Sequence, residues 1–142
     1  MSRPFLPPRF CHLTVLLFAA WASTAQAQVG TVRLATGLSS PTYLTAPPAD
    51  YDRLFVTERT GDIEILEAGT GAIAATPFLS LMNVRTLASI AFHPDYASNR
   101  FFYVYYQDLG NEVRLVRYEA MIGDPDQADP SSAMPLLSLT NG

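Results

Sequence analysis

The apolar positions of this chain come in short runs separated by dense turn punctuation. Thr31–Ala35 (TVRLA) alternates apolar and polar residues and is broken by Gly37–Pro41 (GLSSP). Thr42–Ala46 is a second run, closed by Pro47, Pro48, Ala49 and Asp50. Arg53–Thr57 (RLFVT) and Asp62–Glu67 (DIEILE) flank Arg59-Thr60-Gly61, which predicts a hairpin whose glycine supplies a positive φ. Gly69-Thr70-Gly71 ends that hairpin, and Leu87–Phe92 (LASIAF) runs into a turn at His93-Pro94-Asp95. Arg100–Tyr106 (RFFYVYY) is the most strand-like segment, because aromatic and β-branched side chains suit a pleated, half-buried surface. Glu112–Tyr118 (EVRLVRY) follows Asp108–Asn111. No segment holds a helical period over the roughly ten to twelve residues a helix needs, so the pattern predicts an all-β fold.

The pattern also repeats. An offset of 47 sets Arg53 on Arg100, Pro47 on Pro94, Asp52 on Asn99, Leu54 on Phe101 and Phe55 on Phe102. Each copy reads as an apolar run, a proline-led turn, Asp/Asn-Arg, a strand and a hairpin. A period of about 40–50 residues built from short antiparallel strands is the signature of β-propeller blades.

The N-terminus breaks with this pattern. Residues 1–27 read as a secretory signal: Arg3 and Arg9 lie in a short basic region, Leu13–Ala22 (LTVLLFAAWA) is an apolar core, and Ala25-Gln26-Ala27 is a small-x-small cleavage site. The mature chain then begins at Gln28, is exported to the periplasm or secreted, and keeps no membrane span, since the apolar core is about ten residues against roughly 20 for a bilayer.

Composition narrows the chemistry. The 142 residues carry 9 Lys+Arg and 13 Asp+Glu. Removing the signal leaves seven arginines against the same 13 acids, a net charge of −6, which argues against a nucleic-acid partner. Cys11, Trp21 and His12 leave with the signal, so no internal disulfide and no Cys/His zinc cluster is available. His93 is the one histidine of residues 28–142, and its place predicts a turn-bonding role beside Pro94 and Asp95. Asp124, Asp126 and Asp129 are spaced like cation ligands, but Pro125 and Pro130 stand where a calcium loop needs a glycine turn and a closing glutamate. They are expected to form a solvated acidic loop. Phe101, Phe102, Tyr103, Tyr105 and Tyr106 are expected to pack a core on one face and an inter-blade contact on the other. No phosphate-binding glycine loop, G-x-S-x-G elbow or N-x-S/T sequon is present.

Ser89–Tyr106 (SIAFHPDYASNRFFYVYY), Val113–Met121 (VRLVRYEAM), Ala128–Ser131 (ADPS) and Leu54–Leu66 (LFVTERTGDIEIL) together resemble the soluble quinoprotein glucose/sorbosone dehydrogenase family. The resemblance runs from about Val32 to Leu137. It implies a six-bladed propeller that binds pyrroloquinoline quinone (PQQ) and calcium and oxidises an aldose at C1, a histidine base taking the hydroxyl proton while hydride passes to the quinone. Two departures follow. Asn83-Val84-Arg85-Thr86-Leu87-Ala88-Ser89 replaces the family's Gly-Gln/Glu-x-Gly-Leu-Leu-Gly, putting Val84 in place of a polar active-site residue. The family's Asn-His-Asn-Gly-Gly motif would begin at about Thr140-Asn141-Gly142. His93 is therefore not the family's base, and no residue here is expected to be catalytic, cofactor-binding or metal-ligating. Residues 28–142 are expected to form two to three blades of an incomplete propeller, an N-terminal fragment inactive alone, binding neither PQQ nor calcium by itself and free to associate through exposed strand edges. A small sugar is the substrate implied for the full-length protein. The other reading is a non-catalytic propeller that binds a carbohydrate or protein partner.

Overall fold

The computed structural model describes residues 30–140; the expected signal segment 1–27 lies outside them. Within the compact unit that begins at Val32, the chain forms β1 (Pro41–Thr45), β2 (Arg53–Glu58), β3 (Asp62–Glu67), β4 (Leu79–Ser80), β5 (Val84–Phe92), α1 (Tyr96–Asn99), β6 (Phe101–Asp108), β7 (Glu112–Met121) and β8 (Asp124–Thr140). The strands make two four-stranded antiparallel sheets, β1-β2-β3-β4 and β5-β6-β7-β8, in which each strand pairs with its neighbour in sequence. The all-β expectation holds, and each sheet is one blade-like meander.

The hairpins form where sequence chemistry allows positive φ. Gly61 sits at φ 121° and donates its N–H to the Glu58 carbonyl at 3.1 Å; a Cβ there would lie 2.4 Å from the Leu81 carbonyl oxygen, so glycine is required. In the second sheet Asn111 takes φ 66° and donates to the Asp108 carbonyl at 3.1 Å. Asp108 Oδ1 secures this turn by accepting from the Glu112 N–H at 3.0 Å.

Alternation along each strand then sorts the side chains. Phe55, Ile63 and Ile65 of the first sheet face Phe102, Val104, Val116, Tyr118 and Ala120 of the second, and all are buried in one shared core. Phe78 bridges the sheets, its ring 4.9 Å from both Phe55 and Phe102. Each such ring removed from water contributes about 1.5–3 kcal/mol. Backbone polarity crosses the same seam: the Ala128 N–H reaches the Phe78 carbonyl at 2.8 Å, and the Leu87 N–H the Arg59 carbonyl at 3.0 Å. A hydroxyl has a single proton, so Thr42 donates to the Leu87 carbonyl at 2.7 Å and accepts from the Thr57 hydroxyl at 2.8 Å.

The structural register of the repeat differs from the sequence offset of 47. The equivalent turn residues Gly61 and Asn111 lie 50 positions apart. On that register Phe55 corresponds to Tyr105, Ile63 to Val113 and Ile65 to Leu115. Phe55 and Phe102, which the offset of 47 pairs, enter the shared core from opposite sheets. The discrepancy of three is odd, and an odd slip exchanges the two faces of a strand.

Four segments depart from the pattern reading. Thr31–Ala35 alternates in sequence but pairs with no strand. Helix α1 is a single turn, too short to leave a period. The two-residue β4 is too short to leave an alternation. The acidic segment of Asp124, Asp126 and Asp129 is not a loop; it opens β8, an outermost strand. Pro125, Pro130 and Pro135 hid it, because proline is tolerated in a strand only at an edge or bulge, and β8 has both.

Candidate functional site

The residues that replace the resembled glycine motif lie on β5, beside the hairpin turns. Asn83 takes φ 61° and its carbonyl accepts from the Leu109 N–H at 3.0 Å. Val84 is half-buried and packs toward the Gly61 turn. Leu87 is buried in the core, and the Arg85 guanidinium turns out to the Leu109 carbonyl at 3.4 Å. Val84 carries no group that hydrogen-bonds a quinone or a sugar hydroxyl, so at the position of the motif's polar residue the chain does not fit PQQ.

At the other end of the sheets, the β1–β2 connection, α1 and the β7–β8 turn line an open cleft of about 770 Å³. Its centre is Arg53, at the start of β2. Arg53 Nε donates to Asp50 Oδ2 at 2.8 Å, one terminal nitrogen lies 2.6 Å from the same carboxylate, and the other lies 2.5 Å from Asp126 Oδ1. The guanidinium also sits 5.6 Å from the Phe55 ring centroid. Burial opposes ionisation of Asp50, but the hydrogen bond from Arg53 and the backbone N–H groups of Asp52 and Arg53 outweigh it and hold the carboxyl below its ordinary range. Tyr96 lines the same cleft with a buried hydroxyl that takes no partner among the described residues; burial pushes its pKa up to about 12. Sequence reasoning missed this cluster. Asp50 and Arg53 stand three apart, but nothing signals Asp126, 73 residues further on.

The three aspartates of β8 act separately. Asp124 Oδ1 accepts from the Asp126 N–H at 3.1 Å, and Asp126 is tied to Arg53. Asp129 Oδ1 accepts from the Ser131 hydroxyl at 2.6 Å and the Ser131 N–H at 2.9 Å, which lowers its pKa. Calcium takes about 6–8 oxygen ligands. Among the described residues no three His, Cys, Asp or Glu side chains converge in this way, and Asp126 and Asp129 are already held by Arg53 and Ser131. These residues do not fit calcium.

His93 does what its position predicts. Its Nδ1 accepts from the Asp95 N–H at 3.0 Å and lies 2.8 Å from Asn99 Nδ2. A backbone N–H can only donate, so Nδ1 keeps its lone pair and the neutral ring carries its proton on Nε2. The aromatic strand splits by face: Phe102 and Val104 are buried in the core, while Phe101 and Tyr103 lie on the other face beside His93 and Tyr105 lies further along that face. The Arg117 guanidinium stacks on the Phe101 ring at 4.1 Å.

Two stacked antiparallel meanders, joined by a shared core and repeating in chain order, define two blades of a β-propeller. Residues 38–129 match the Glucose / Sorbosone dehydrogenase family, and the chain belongs to it. The fold is similar to the crystal structure of the soluble aldose sugar dehydrogenase from Escherichia coli in its apo-form, with a TM-score of 0.57 and 19% identity over 74% of this chain and 31% of that one. It is likewise similar to a crystal structure of glucose dehydrogenase, with a TM-score of 0.59 and 20% identity over 75% of this chain and 32% of that one. The chain thus spans about a third of the length of the solved structures it matches.

Proposed function

We propose that this chain supplies two blades of an exported, PQQ- and calcium-dependent sugar dehydrogenase, and that residues 30–140 are scaffold while the reacting groups and the calcium ligands lie outside them. The family match over residues 38–129 carries this reading. The assignment of scaffold rests on the side chains: Val84 offers no polar contact, His93 is committed to its own turn, and the aspartates of β8 are committed to Arg53 and Ser131. On this reading the sugar substrate and the quinone belong to the longer protein, and the chain alone is inert. Purified chain incubated with PQQ, calcium, an aldose and an electron-accepting dye is expected to reduce no dye above the protein-free blank; sustained turnover contradicts the proposal. Export is read from the product, whose N-terminal sequence is expected to begin at Gln28.

Val84 favours one second reading, a propeller of the same family that binds a carbohydrate or protein partner without catalysis. The coding sequence beyond codon 142 separates the two. An Asn-His-Asn-Gly-Gly motif with later acidic residues supports the enzyme, and an open reading frame without them supports the binding module.

A further inference from the structure

The connection between β5 and β6 is organised around one ring nitrogen. His93 Nδ1 accepts from the Asp95 N–H at 3.0 Å and lies 2.8 Å from Asn99 Nδ2, so two donors converge on its single lone pair. The far end of the Asn99 amide is fixed as well, because Asn99 Oδ1 accepts from the Phe101 N–H at 2.8 Å. Between these ties the backbone closes α1. The Tyr96 N–H reaches the His93 carbonyl at 2.9 Å, the Asn99 N–H the Asp95 carbonyl at 3.1 Å, and the Arg100 N–H the Tyr96 carbonyl at 2.8 Å. Every one of these partners lies within residues 93–101, so the arrangement is complete in this connection whatever packs beyond the second sheet.

The arrangement has no place for a proton on Nδ1. A protonated imidazole donates from both nitrogens and accepts from neither. The Asp95 N–H then loses its acceptor, and no rotation of the ring restores one. Asn99 can turn its carbonyl toward the ring, but its NH2 group then confronts the Phe101 N–H, donor against donor. The charged and titratable groups around the ring are Asp95 in the turn, Arg100 at its end, Tyr103 on β6, and Arg117 and Glu119 opposite Tyr103 and Phe101 on β7. None of them is ion-paired with His93 among the described residues; Arg100 pairs with Glu119, and Arg117 stacks on Phe101. We infer that His93 is an acid-sensitive latch, which holds α1 closed when neutral and releases it when protonated. Histidine is the side chain that changes charge between about pH 5 and 8. The effect reaches the cleft, because α1 carries Tyr96 and Ala97 of its lining, and Tyr96 packs on Phe92 at 4.7 Å.

Amide hydrogen exchange of the purified chain, followed residue by residue by NMR from pH 8 to 5 and corrected for the intrinsic pH dependence of exchange, tests this. Protection of the Asn99 and Arg100 amides is expected to fall by about tenfold in step with titration of the His93 ring, while the amides of the β2–β3 hairpin keep theirs. His93→Asn puts an acceptor near the place of Nδ1 that does not titrate in this range, and is expected to abolish the dependence. Asn99→Asp is expected to invert it, since a carboxylate accepts from both a protonated Nδ1 and the Phe101 N–H. Protection that stays constant while the His93 ring titrates overturns the inference. So does a ring that stays neutral down to pH 5, or a dependence that survives His93→Asn. These readouts involve neither dye nor quinone, so their outcome is separate from that of the scaffold reading.

Discussion

Tyr96 shows how a residue's burial becomes a measurable property. Its ring packs edge-on against Phe92 at 4.7 Å, and its hydroxyl is enclosed without a partner among the described residues. Burial raises its pKa from 10.0 to about 12, so the folded state holds the phenolic proton more tightly than the unfolded state does. The stability this represents is present below pH 10 and is lost as pH rises through about 12. Tyr118, also raised to about 12 by burial, adds to the same alkaline loss. Denaturant titrations from pH 9 to 12 are expected to show falling stability, and Tyr96→Phe to flatten the fall. At neutral pH Tyr96→Phe is expected to be neutral or to stabilise by up to about 1 kcal/mol, since it removes an unpaired buried hydroxyl. His93 was legible in sequence because its partners lie within six residues. Tyr96 was not, because its environment comes from Arg53, Asp50 and Asp126, which only the fold assembles.

Single elements were legible where local chemistry determines them. The Asp62–Glu67 strand and its preceding glycine turn appear as the alternation predicts, because Gly61 alone tolerates that φ beside the Leu81 carbonyl. Gly61→Ala is expected to lower the unfolding free energy by about 1 kcal/mol or more, measured by urea denaturation, with no change in the m-value. β8 was illegible for the opposite reason. Its prolines and polar residues deny it any propensity, and it exists through pairing with β7 and anchoring to the first sheet. The Arg53–Asp126 pair is one such anchor, between partly exposed groups. A double-mutant cycle of Arg53→Ala and Asp126→Ala is expected to give a coupling of about 0.5–1 kcal/mol, falling at high salt. A coupling of zero places the anchoring in the other ties of β8, the Ala128–Phe78 backbone bond and the Gln127 bonds to Thr76 and Pro77.

For the whole molecule, the repeat in sequence pointed to the right architecture through the wrong residues. The offset of 47 aligned Phe55 with Phe102 because both are core phenylalanines, whereas the turns show that Phe55 corresponds to Tyr105. Sequence similarity follows burial, and burial is shared by facing residues of two sheets as readily as by equivalent ones. The resemblance to the glucose/sorbosone dehydrogenases holds at the level of family and fold, and the side chains within it are occupied with turns, core and inter-sheet ties. The central claim is that these two blades are scaffold without a cofactor site of their own. Titration calorimetry of PQQ into the purified chain with calcium present tests it most directly: the account predicts no saturable heat, and a saturable one-to-one isotherm in the micromolar range would contradict it.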